Sequence, residues 1–412
     1  MNVETAPQAT QVTPVSSPNS RARNEESTRE RALHQLVQAI HDSPAQLVLT
    51  LAGAGHSALS NLLDVAGASR TLLEALVPYS NAAFDDFLAN KPEQYVSAAT
   101  ARLMAGRAYT RARQLAPSAV PWLGVGCTAT IATDRPKRGE HRAHIAIRQP
   151  SRLTEYFVRF EKGLRSRKGE EEEVSTTILN AIAESIGLAE RIPPDLRTKD
   201  VLEVAVIDYL ATVEALVRGQ IHFTGVRADG LLFADGSTPP VILSGAFNPL
   251  HEGHLGMAQA AETLLGEEVT FELAAVNVDK PPLSAAVILE RMGQFAGRYP
   301  VLASDAPTYI EKARLYPGAT FVVGYDTALR IFATRYYENS TAKMLAALRE
   351  LATLGCRFLV AGRVDEQAIF RSLQDLAIPA EFQPLFTAIP EQLFRRDISS
   401  TALRSAQERG SR

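Results

Sequence analysis

The stretch that most constrains the fold lies between residues 241 and 265. The short apolar run Val-Ile-Leu at 241–243 leads into Gly-Ala-Phe-Asn-Pro-Leu-His-Glu-Gly-His at 245–254, and helix-forming residues follow at 255–265. This order predicts a strand, a glycine-containing turn and a helix. In an open α/β sheet such a junction lies at the carboxyl end of a strand, where ligands bind.

The residue types in this turn suit the binding of phosphate. Gly245 permits a tight turn and a close approach of a ligand to the backbone. His251 and His254 are three residues apart, so they share one face of the helix start, and Gly253 leaves room between them. A helix start attracts anions through its free N–H groups. Two imidazoles there can hydrogen-bond a phosphate whose charge grows in the transition state.

These residues resemble the G-x-F-x-P-x-H-x-G-H signature of the HxGH nucleotidyltransferases, and every fixed position of that pattern is filled. Two surface histidines at a helix start are the simpler alternative, which the full match after a predicted strand disfavours. The resemblance implies catalytic roles for His251 and His254. It also implies nucleotide contacts from the turn, namely from Gly245, Ala246, Phe247, Asn248 and Gly253.

Composition excludes several classes of protein. The 412 residues allow two or three domains, and 46% hydrophobic with 22% charged residues is typical of globular chains. The net charge of −3 gives no basic surplus that would indicate a nucleic-acid partner. Cys127 and Cys356 form neither a disulfide framework nor a zinc pattern. With no membrane-length apolar run and no signal-peptide core, we expect a cytoplasmic protein without a membrane partner.

The first part of the chain predicts a tail and then a second strand–turn–helix unit. Residues 1–28 are rich in Pro, Ser, Thr, Asn and Gln, which predicts a disordered tail. A helix is predicted at 29–41, a buried strand at 46–51 and a helix at 57–63. The small-residue turn at 52–56 could hold an anion or be an ordinary tight turn. The acidic run that ends at Glu173 predicts an exposed loop before a helix at 174–186.

Three segments of this part are similar to the CinA-like (competence-damage-inducible) family. They are Leu-Asp-Val-Ala-Gly-Ala-Ser at 63–69, Val-Pro-Tyr-Ser-Asn at 77–81 and Leu-Gly-Val-Gly-Cys-Thr-Ala-Thr at 123–130. The resemblance implies a CinA-like domain over residues 29–190, and a homo-oligomer, because such domains often self-associate.

The departures from the CinA-like pattern bear on activity. The family includes amidases that deamidate nicotinamide mononucleotide, with the serine of a Ser-Cys-Thr-Gly-Gly run as the proposed nucleophile. Here Ala52 stands in that position, and Phe84 replaces the expected lysine. Alanine has no hydroxyl with which to attack. We therefore expect a CinA-like domain without amidase activity.

Residues 191–239 predict a linker. Arg-Ile-Pro-Pro at 191–194 breaks the chain. Apolar residues at helical spacing predict a helix over 200–217. The runs at 221–223 and 231–233, with Asp-Gly at 229–230 between them, predict a hairpin.

Strands and helices alternate over residues 240–412. Strands are expected at 241–244, 269–277, 320–325 and 357–362, with a short one near 384–387; helices fill the gaps, notably at 285–299, 341–354 and 366–376. Alternation implies a parallel sheet covered on both faces. The predicted fold class is α/β, with the CinA-like domain followed by a Rossmann-like, doubly wound nucleotidyltransferase domain.

Two further segments resemble the adenylyltransferase branch of the HxGH family. Asn-Val-Asp-Lys-Pro-Pro-Leu at 277–283, with a following Arg-Met pair, implies that Lys280 and Arg291 contact the acceptor. A prolyl loop with a solvent-exposed lysine is the alternative. Residues 321–327 resemble a Gly-x-Asp-Ser/Thr turn, which implies nucleotide contacts from Gly324 and Asp326, the latter at a ribose hydroxyl. Asp326 could instead only cap a helix.

Residues 398–404 resemble the I-S-S-T-x-x-R motif of the same family. The resemblance implies that Ile398, Ser399, Ser400 and Thr401 bind nucleotide, because hydroxyls and N–H groups at a helix start can hold phosphates. The resemblance also implies a catalytic role for Arg404, which lies one turn further on the face of Ser400 and whose planar fork suits phosphate oxygens.

The predicted function is transfer of a nucleotidyl group from ATP to a phosphate-bearing acceptor, with release of pyrophosphate. Mg²⁺ is expected on the nucleotide phosphates, because no carboxylate cage is visible and no residues are assigned to a metal. The motifs most resemble nicotinamide or nicotinate mononucleotide adenylyltransferases. One alternative is cytidylyl or adenylyl transfer to another phosphate acceptor. The other is a non-enzymatic nucleotide sensor or scaffold.

Overall fold

Six strands form the N-terminal sheet in the structure, a computed structural model that describes residues 18–116, 121–135, 138–233, 238–276, 281–365, 367 and 369–395, with the backbone only at 18–27. The strands are β1 (Gln46–Ala52), β2 (Leu72–Leu76), β3 (Trp122–Thr130), β4 (His141–Arg148), β5 (Arg152–Phe160) and β6 (Val201–Asp208). Their order is β2-β1-β3-β4-β5-β6. The pairing is parallel from β2 to β3 and antiparallel from β3 to β6.

Helices cover both faces of this sheet. They are α1 (Pro18–Asp42), α2 (His56–Asp64), α3 (Ala68–Thr71), α4 (Asn81–Leu88), α5 (Ala98–Leu115) and α6 (Arg167–Ser185). Apolar side chains of α1, α2 and α6 share one buried core with β1, β3, β4 and β5. On the other face α5 lies directly on β3, where a Cβ on Gly124 would come 2.0 Å from the Ala105 carbonyl oxygen. Only glycine allows the helix to approach this closely.

Two predictions for this domain are wrong. Helix α1 begins at Pro18, inside the predicted tail, because its first residues include the strong helix formers Arg, Ala and Glu; residues 1–17 lie outside the described residues. Helix α6 begins at Arg167, so the acidic run is helical, and Glu170, Glu171 and Glu173 are buried. Each of these buried carboxylates accepts a hydrogen bond from a backbone N–H of a neighbouring segment.

The predicted helix over 200–217 is also wrong in its first half. Residues 201–208 form β6, which pairs with β5 along its whole length, and only then does helix α7 (Tyr209–Val217) begin. Apolar, β-branched residues dominate 201–207, and such residues pack well on a pleated surface. The Asp208 carboxylate accepts a hydrogen bond from the Ala211 N–H and marks the helix start.

Nine strands lie in the described part of the second domain. They are β7 (Phe223–Val226), β8 (Val241–Gly245), β9 (Val269–Ala274), β10 (Val301–Ser304), β11 (Thr320–Gly324), β12 (Arg357–Ala361), β13 (Arg363–Val364), β14 (Phe370–Arg371) and β15 (Phe386–Ala388). Seven of them form a sheet in the order β15-β12-β11-β8-β9-β10-β7, and β13 pairs with β14. Within the seven-stranded sheet only β7 is antiparallel to its neighbour.

The helices of this domain connect the parallel strands. They are α8 (Glu252–Leu265), α9 (Ala285–Met292), α10 (Tyr309–Leu315), α11 (Tyr325–Ile331) and α12 (Thr341–Thr353), with 3₁₀ turns at Gly293–Phe295, Thr334–Tyr337, Leu373–Asp375 and Ala380–Leu385. Two buried cores flank the sheet, as expected for a doubly wound fold. The α/β fold class of both domains is thereby confirmed. None of the described helices is long and apolar enough to cross a bilayer.

Details of the second domain differ from the sequence predictions. The helix predicted over 285–299 ends at Met292, and strand β10 follows its 3₁₀ turn. A helix predicted over 366–376 is wrong: the described residues there contain β14 and a 3₁₀ turn. The predicted hairpin exists, since Val226 bridges Leu232 in antiparallel fashion. Its first strand, β7, also pairs with β10 as an edge strand.

The two domains meet along α5. The Thr110 hydroxyl donates a 2.7 Å hydrogen bond to the Ala296 carbonyl, and the Arg113 guanidinium pairs with Glu290 at 3.0 Å. A Cβ on Gly106 would lie 2.5 Å from the backbone nitrogen of Gly297. Backbone therefore contacts backbone at this point of the interface.

Candidate functional site

The histidine-containing turn lies at the point where the strand order of the second domain's sheet reverses. Strand β8 ends at Gly245 and pairs with β9 on one side and β11 on the other. Leu243 pairs with Val322, so β8 and the neighbouring β11, which ends at Gly324, finish at the same edge. The chain passes from β8 to β9 and β10 and then crosses back to β11. In doubly wound folds the crevice at such a switch point is the ligand site.

Phe247 anchors the turn to the core. Its ring is 1% exposed and makes edge-to-face contacts with Phe271, Phe295 and His254, with centroid distances of 5.5, 5.2 and 5.0 Å. Its φ of 42° lies in the left-handed region, and the Asn248–Pro249 peptide is cis. A Cβ on Gly245 would lie 2.7 Å from the Phe247 ring, so this position requires glycine.

Gln294, which the sequence analysis did not identify, fastens the turn from the other side. Its side-chain amide donates to the Phe247 carbonyl and accepts from the Leu250 N–H, both at 2.9 Å. The predicted acceptor residue Arg291 donates to the Ala246 carbonyl at 3.1 Å. Both side chains therefore hold the backbone of the turn. The only sequence signal for Gln294 was its position just after the Arg-Met pair.

The two histidines begin α8 and hydrogen-bond the backbone reciprocally. His251 is the N-cap, and its Nδ1 accepts from the Gly253 N–H at 3.1 Å. The Nδ1 of His254 accepts from the His251 N–H at 3.4 Å. The rings stack, with centroids 3.7 Å apart and planes 23° from parallel. This capping box fixes both rings at the helix start.

These contacts determine which ring nitrogen carries the proton. Because each Nδ1 accepts a backbone N–H, the proton of a neutral ring lies on Nε2. Burial lowers the pKa of His251, and burial followed by the neighbouring His251 lowers the pKa of His254 to about 3. At neutral pH both rings are uncharged and carry an Nε2–H. They can act as hydrogen-bond donors to a phosphate, while the helix start supplies the positive potential.

The remaining predicted residues fall into two groups. Gly324 is the N-cap of α11, and a Cβ at this position would face open space. Among the described residues no side chain caps the start of α11. Asp326 therefore does not cap this helix, which was the alternative to a contact with a ribose hydroxyl. Asp326 instead pairs with Arg363, which the sequence analysis did not identify. Six predicted residues lie outside the described residues: Lys280, Ile398, Ser399, Ser400, Thr401 and Arg404.

A buried polar network lies directly behind the turn. Lys312 and Glu272 form an ion pair at 2.6 Å, with side chains 4% and 0% exposed. Glu272 also accepts from the hydroxyl of Ser304 at 2.6 Å and from that of Ser244, the residue before Gly245. The network joins β8, β9, β10 and α10 beneath the site. No local sequence pattern identified it.

In the N-terminal domain, an internal carboxylate fills the predicted anion position. Glu171 of α6 accepts from the backbone N–H groups of Gly55 and Ser57 at 3.2 and 3.0 Å. It also accepts from the Ser57 hydroxyl at 2.5 Å, and His56 lies 3.1 Å away. The turn after β1 does hold an anion, but one supplied by the chain itself.

The neighbouring Glu170 has a similar role one loop away. It accepts from the Ala132 N–H at 2.7 Å and contacts Nδ1 of His141 at 2.8 Å. His144 lies on the face of β4 opposite to His141, where its ring contacts Phe157. Within the described ranges, no group of three or more His, Cys, Asp or Glu side chains is arranged to hold a metal ion.

One family model and several solved structures are similar to parts of this chain. The family model described as Cytidylyltransferase-like matches residues 242–406, which supports a nucleotidyltransferase domain. The N-terminal part has structural neighbours in the CinA family. Comparison with curated proteins gives no match.

Three of these neighbours are bacterial. The competence/damage inducible protein CihA from Agrobacterium tumefaciens is 21% identical, with a TM-score of 0.32, covering 37% of this chain and 94% of its own. A CinA superfamily protein from Enterobacter cloacae is 13% identical, with a TM-score of 0.27, covering 44% and 98%. One from Klebsiella pneumoniae is 12% identical, with a TM-score of 0.27, covering 38% and 97%.

Proposed function

We propose that the second domain transfers an adenylyl group from ATP to the phosphate of nicotinamide or nicotinate mononucleotide. The observation that supports this most directly is the pair of stacked histidines at the start of α8, placed at the switch point of the sheet. A phosphate oxygen of the acceptor attacks the α-phosphorus of ATP in line. The bond from that phosphorus to the bridging oxygen breaks, and pyrophosphate leaves.

The chain's own residues would act by positioning and by charge stabilisation. The Nε2–H groups of His251 and His254 donate to oxygens of the phosphate being transferred, where negative charge grows. The positive end of the α8 helix dipole lies at the same place. The attacking phosphate is already largely ionised at neutral pH, since its second pKa is about 6, so no general base is required. Mg²⁺ would enter on the nucleotide phosphates and offset their charge.

The predicted I-S-S-T-x-x-R residues complete this proposal. Ser399, Ser400, Thr401 and Arg404 would hold the leaving pyrophosphate. Asp326 would face a ribose hydroxyl, and its pairing with Arg363 orients its carboxylate. Lys280 would reach the acceptor phosphate.

A second candidate is cytidylyl transfer to a different phosphate acceptor, such as a sugar or alcohol phosphate. The matched family model carries the description Cytidylyltransferase-like, which is the specific observation in its favour. Both candidates use the same histidines and the same bond changes. They differ only in the base bound and in the acceptor.

The deciding experiment mixes purified protein, Mg²⁺ and either ATP or CTP with each mononucleotide, and measures dinucleotide and pyrophosphate. We expect dinucleotide from ATP, and at least a roughly 100-fold lower rate for His254→Ala, the cost typical of removing one transition-state donor. His34→Ala, which changes an exposed histidine of α1, is the matched control and should keep the rate. Pyrophosphate release only from CTP with an alcohol or sugar phosphate would favour the second candidate. Absence of product with every pair would refute both.

We also propose that the N-terminal domain has no amidase activity. Ala52 lacks a nucleophile, and Glu171 already occupies the N–H groups at the following helix start. Ammonia release from nicotinamide mononucleotide, measured with the full His254→Ala chain, should not exceed that of heat-denatured protein. Release above that level would contradict the proposal.

A further inference from the structure

A cleft of about 520 Å³ lies between the two domains, away from the histidine site. One wall is formed by the end of α4 and by α5, and the other by the end of α8 and the turn before β10. Helix α8 has 14 residues and carries the histidines at its opposite end. At 1.5 Å per residue, Glu262, the residue of α8 that lines the cleft nearest to the histidines, lies about 12 Å along the helix from His254. It is therefore a separate site on the molecule.

Two arginines of this cleft have no carboxylate partner among the residues that the structure describes. The half-buried Arg107 of α5 donates to the Leu88 carbonyl at the end of α4, and its buried Nε has no hydrogen-bond partner in the same described part of the chain. The side chain of Arg298 is exposed, and it has no hydrogen bond or ion pair with any residue that the structure describes. Burial and then the charge of Arg298 lower the pKa of Arg107 to about 10. The positive charges of Arg107 and Arg298 lie close together, and the Nε donor of Arg107 is unpaired among the described residues. Binding of an anion would offset the repulsion and accept this hydrogen bond.

Three glutamates at the end of α8 form an acidic wall of the cleft. Glu262, Glu267 and Glu268 lie at the end of α8 and in the turn to β9. Within the described part of the chain none of them pairs with Arg107 or Arg298, although all five residues line one cleft. Burial, and then Glu262, raise the pKa of Glu268. Carboxylates in this position accept hydrogen bonds from hydroxyl groups.

We propose that the cleft binds a small phosphate monoester that carries hydroxyl groups, of the sugar-phosphate or nucleoside-monophosphate kind. The phosphate lies between Arg107 and Arg298, whose planar forks match its oxygens. The hydroxyls face the glutamates. The volume is within the range of small-molecule sites, roughly 300–1,000 Å³. The ligand would touch both domains, since the lining includes residues of α5 and of the end of α8.

Isothermal titration calorimetry with ribose 5-phosphate tests this, using the full chain and the His254→Ala variant. The parent and His254→Ala should bind equally, because the cleft is remote from the histidines. Arg298→Gln should weaken binding at least tenfold, the typical loss for one charge-assisted contact. Because Arg298 is exposed and unpartnered among the described residues, this change should leave the fold intact. Arg107→Gln should have the same effect on binding, with an additional loss of thermal stability from the broken contact to Leu88.

Matched probes and a control arginine define the outcomes. Ribose without phosphate should not bind, and inorganic phosphate should bind more weakly than ribose 5-phosphate, because it cannot reach the acidic wall. Arg218→Gln, at an exposed arginine paired with Glu214, should bind as the parent does. Binding that is lost in His254→Ala but kept in Arg298→Gln would overturn the proposal, since the ligand would then occupy the histidine site. Absence of binding by the parent, or equal binding by parent and Arg298→Gln, would also overturn it.

Discussion

Replacing Glu171 tests whether an internal carboxylate stabilises the start of α2. Glu171 accepts from the N–H groups of Gly55 and Ser57 and from the hydroxyls of Ser57 and Ser175, at 2.5–3.2 Å. A hydrogen bond to a charged group contributes about 1.5–3 kcal/mol, and a buried donor left unpaired costs about 1–3 kcal/mol. The negative charge at the helix start adds about 0.3–1 kcal/mol.

These contributions overlap, because the same four donors cluster on one carboxylate. We expect Glu171→Ala to lower the free energy of unfolding of the N-terminal domain by about 3–4 kcal/mol. Glu171→Gln keeps an oxygen for the two N–H groups, so a loss of about 1–2 kcal/mol is expected. The matched control is Glu172→Ala, one position along the same helix, where the side chain is 51% exposed and pairs with the exposed Lys168. Its effect should stay within about 0.5 kcal/mol.

The assay is urea unfolding followed by the fluorescence of Trp122. It is the only tryptophan of the chain, and it lies in β3 of the affected sheet. With a slope of roughly 2 kcal/mol per molar urea, Glu171→Ala should lower the midpoint by about 1.5–2 M. Equal midpoints for Glu171→Ala and Glu172→Ala would refute the reasoning, because the contacts of Glu171 would then contribute nothing beyond those of a surface glutamate.

Three further predictions concern the second domain. His251→Asn should keep the helix cap and lower the free energy of unfolding by less than about 0.5 kcal/mol, whereas His251→Ala should lower it by about 1 kcal/mol. Thermal melts measure this difference. Both variants should lose nucleotidyl transfer, which is measured by pyrophosphate release. Because the folded-state pKa of His254 is about 3, below the unfolded value of 6.5, the neutral ring's contribution is complete above pH 6.5 and is lost as the pH falls toward 3. The unfolding midpoint of the parent should therefore fall faster over that window than that of His254→Asn, and parallel profiles would contradict the assignment. Lys312→Met should lower the free energy of unfolding by about 3–5 kcal/mol, because it leaves the buried Glu272 without its ion-pair partner. The double variant Glu272→Gln with Lys312→Met should regain part of that stability. Additive losses in the two single variants and the double variant would exclude direct coupling.

The position of the histidine-containing turn in the fold could be predicted because its signals are local. Gly245, His251 and His254 lie within ten residues, and each has a role that the backbone of one turn determines. The alternation of strands and helices after residue 240 then places that turn at the carboxyl edge of a parallel sheet. The observed switch point between β8 and β11 agrees with this prediction.

Polar partners that are distant in sequence could not be predicted. Glu171 meets Gly55 across 116 positions, and Gln294 meets Phe247 across 47. A run of four glutamates ordinarily indicates a solvated segment, since charged residues are seldom buried. Only the three-dimensional structure shows that the turn after β1 and the loop after β3 offer N–H groups to two of them.

The error at 200–217 has a different cause. The apolar residues from Val201 to Ile207 are almost continuous, so they satisfy both a helical and a strand period. Pairing with β5 decides between the two, and a single sequence carries no information on that pairing. Val204 and Val206 are exposed in β6 although they are apolar. The sequence therefore shows no alternation of apolar and polar residues that would indicate an edge strand.

The contact between Gly106 and Gly297 limits how the two halves of the molecule can move. With backbone against backbone, sliding along α5 would force peptide groups into one another. Rotation about this contact would open the buried core that both halves share, since Ala105 of α5 and Phe295 of the second domain belong to the same cluster. In solution the two halves should therefore share one rotational correlation time, because independent tumbling would require this contact and this core to separate.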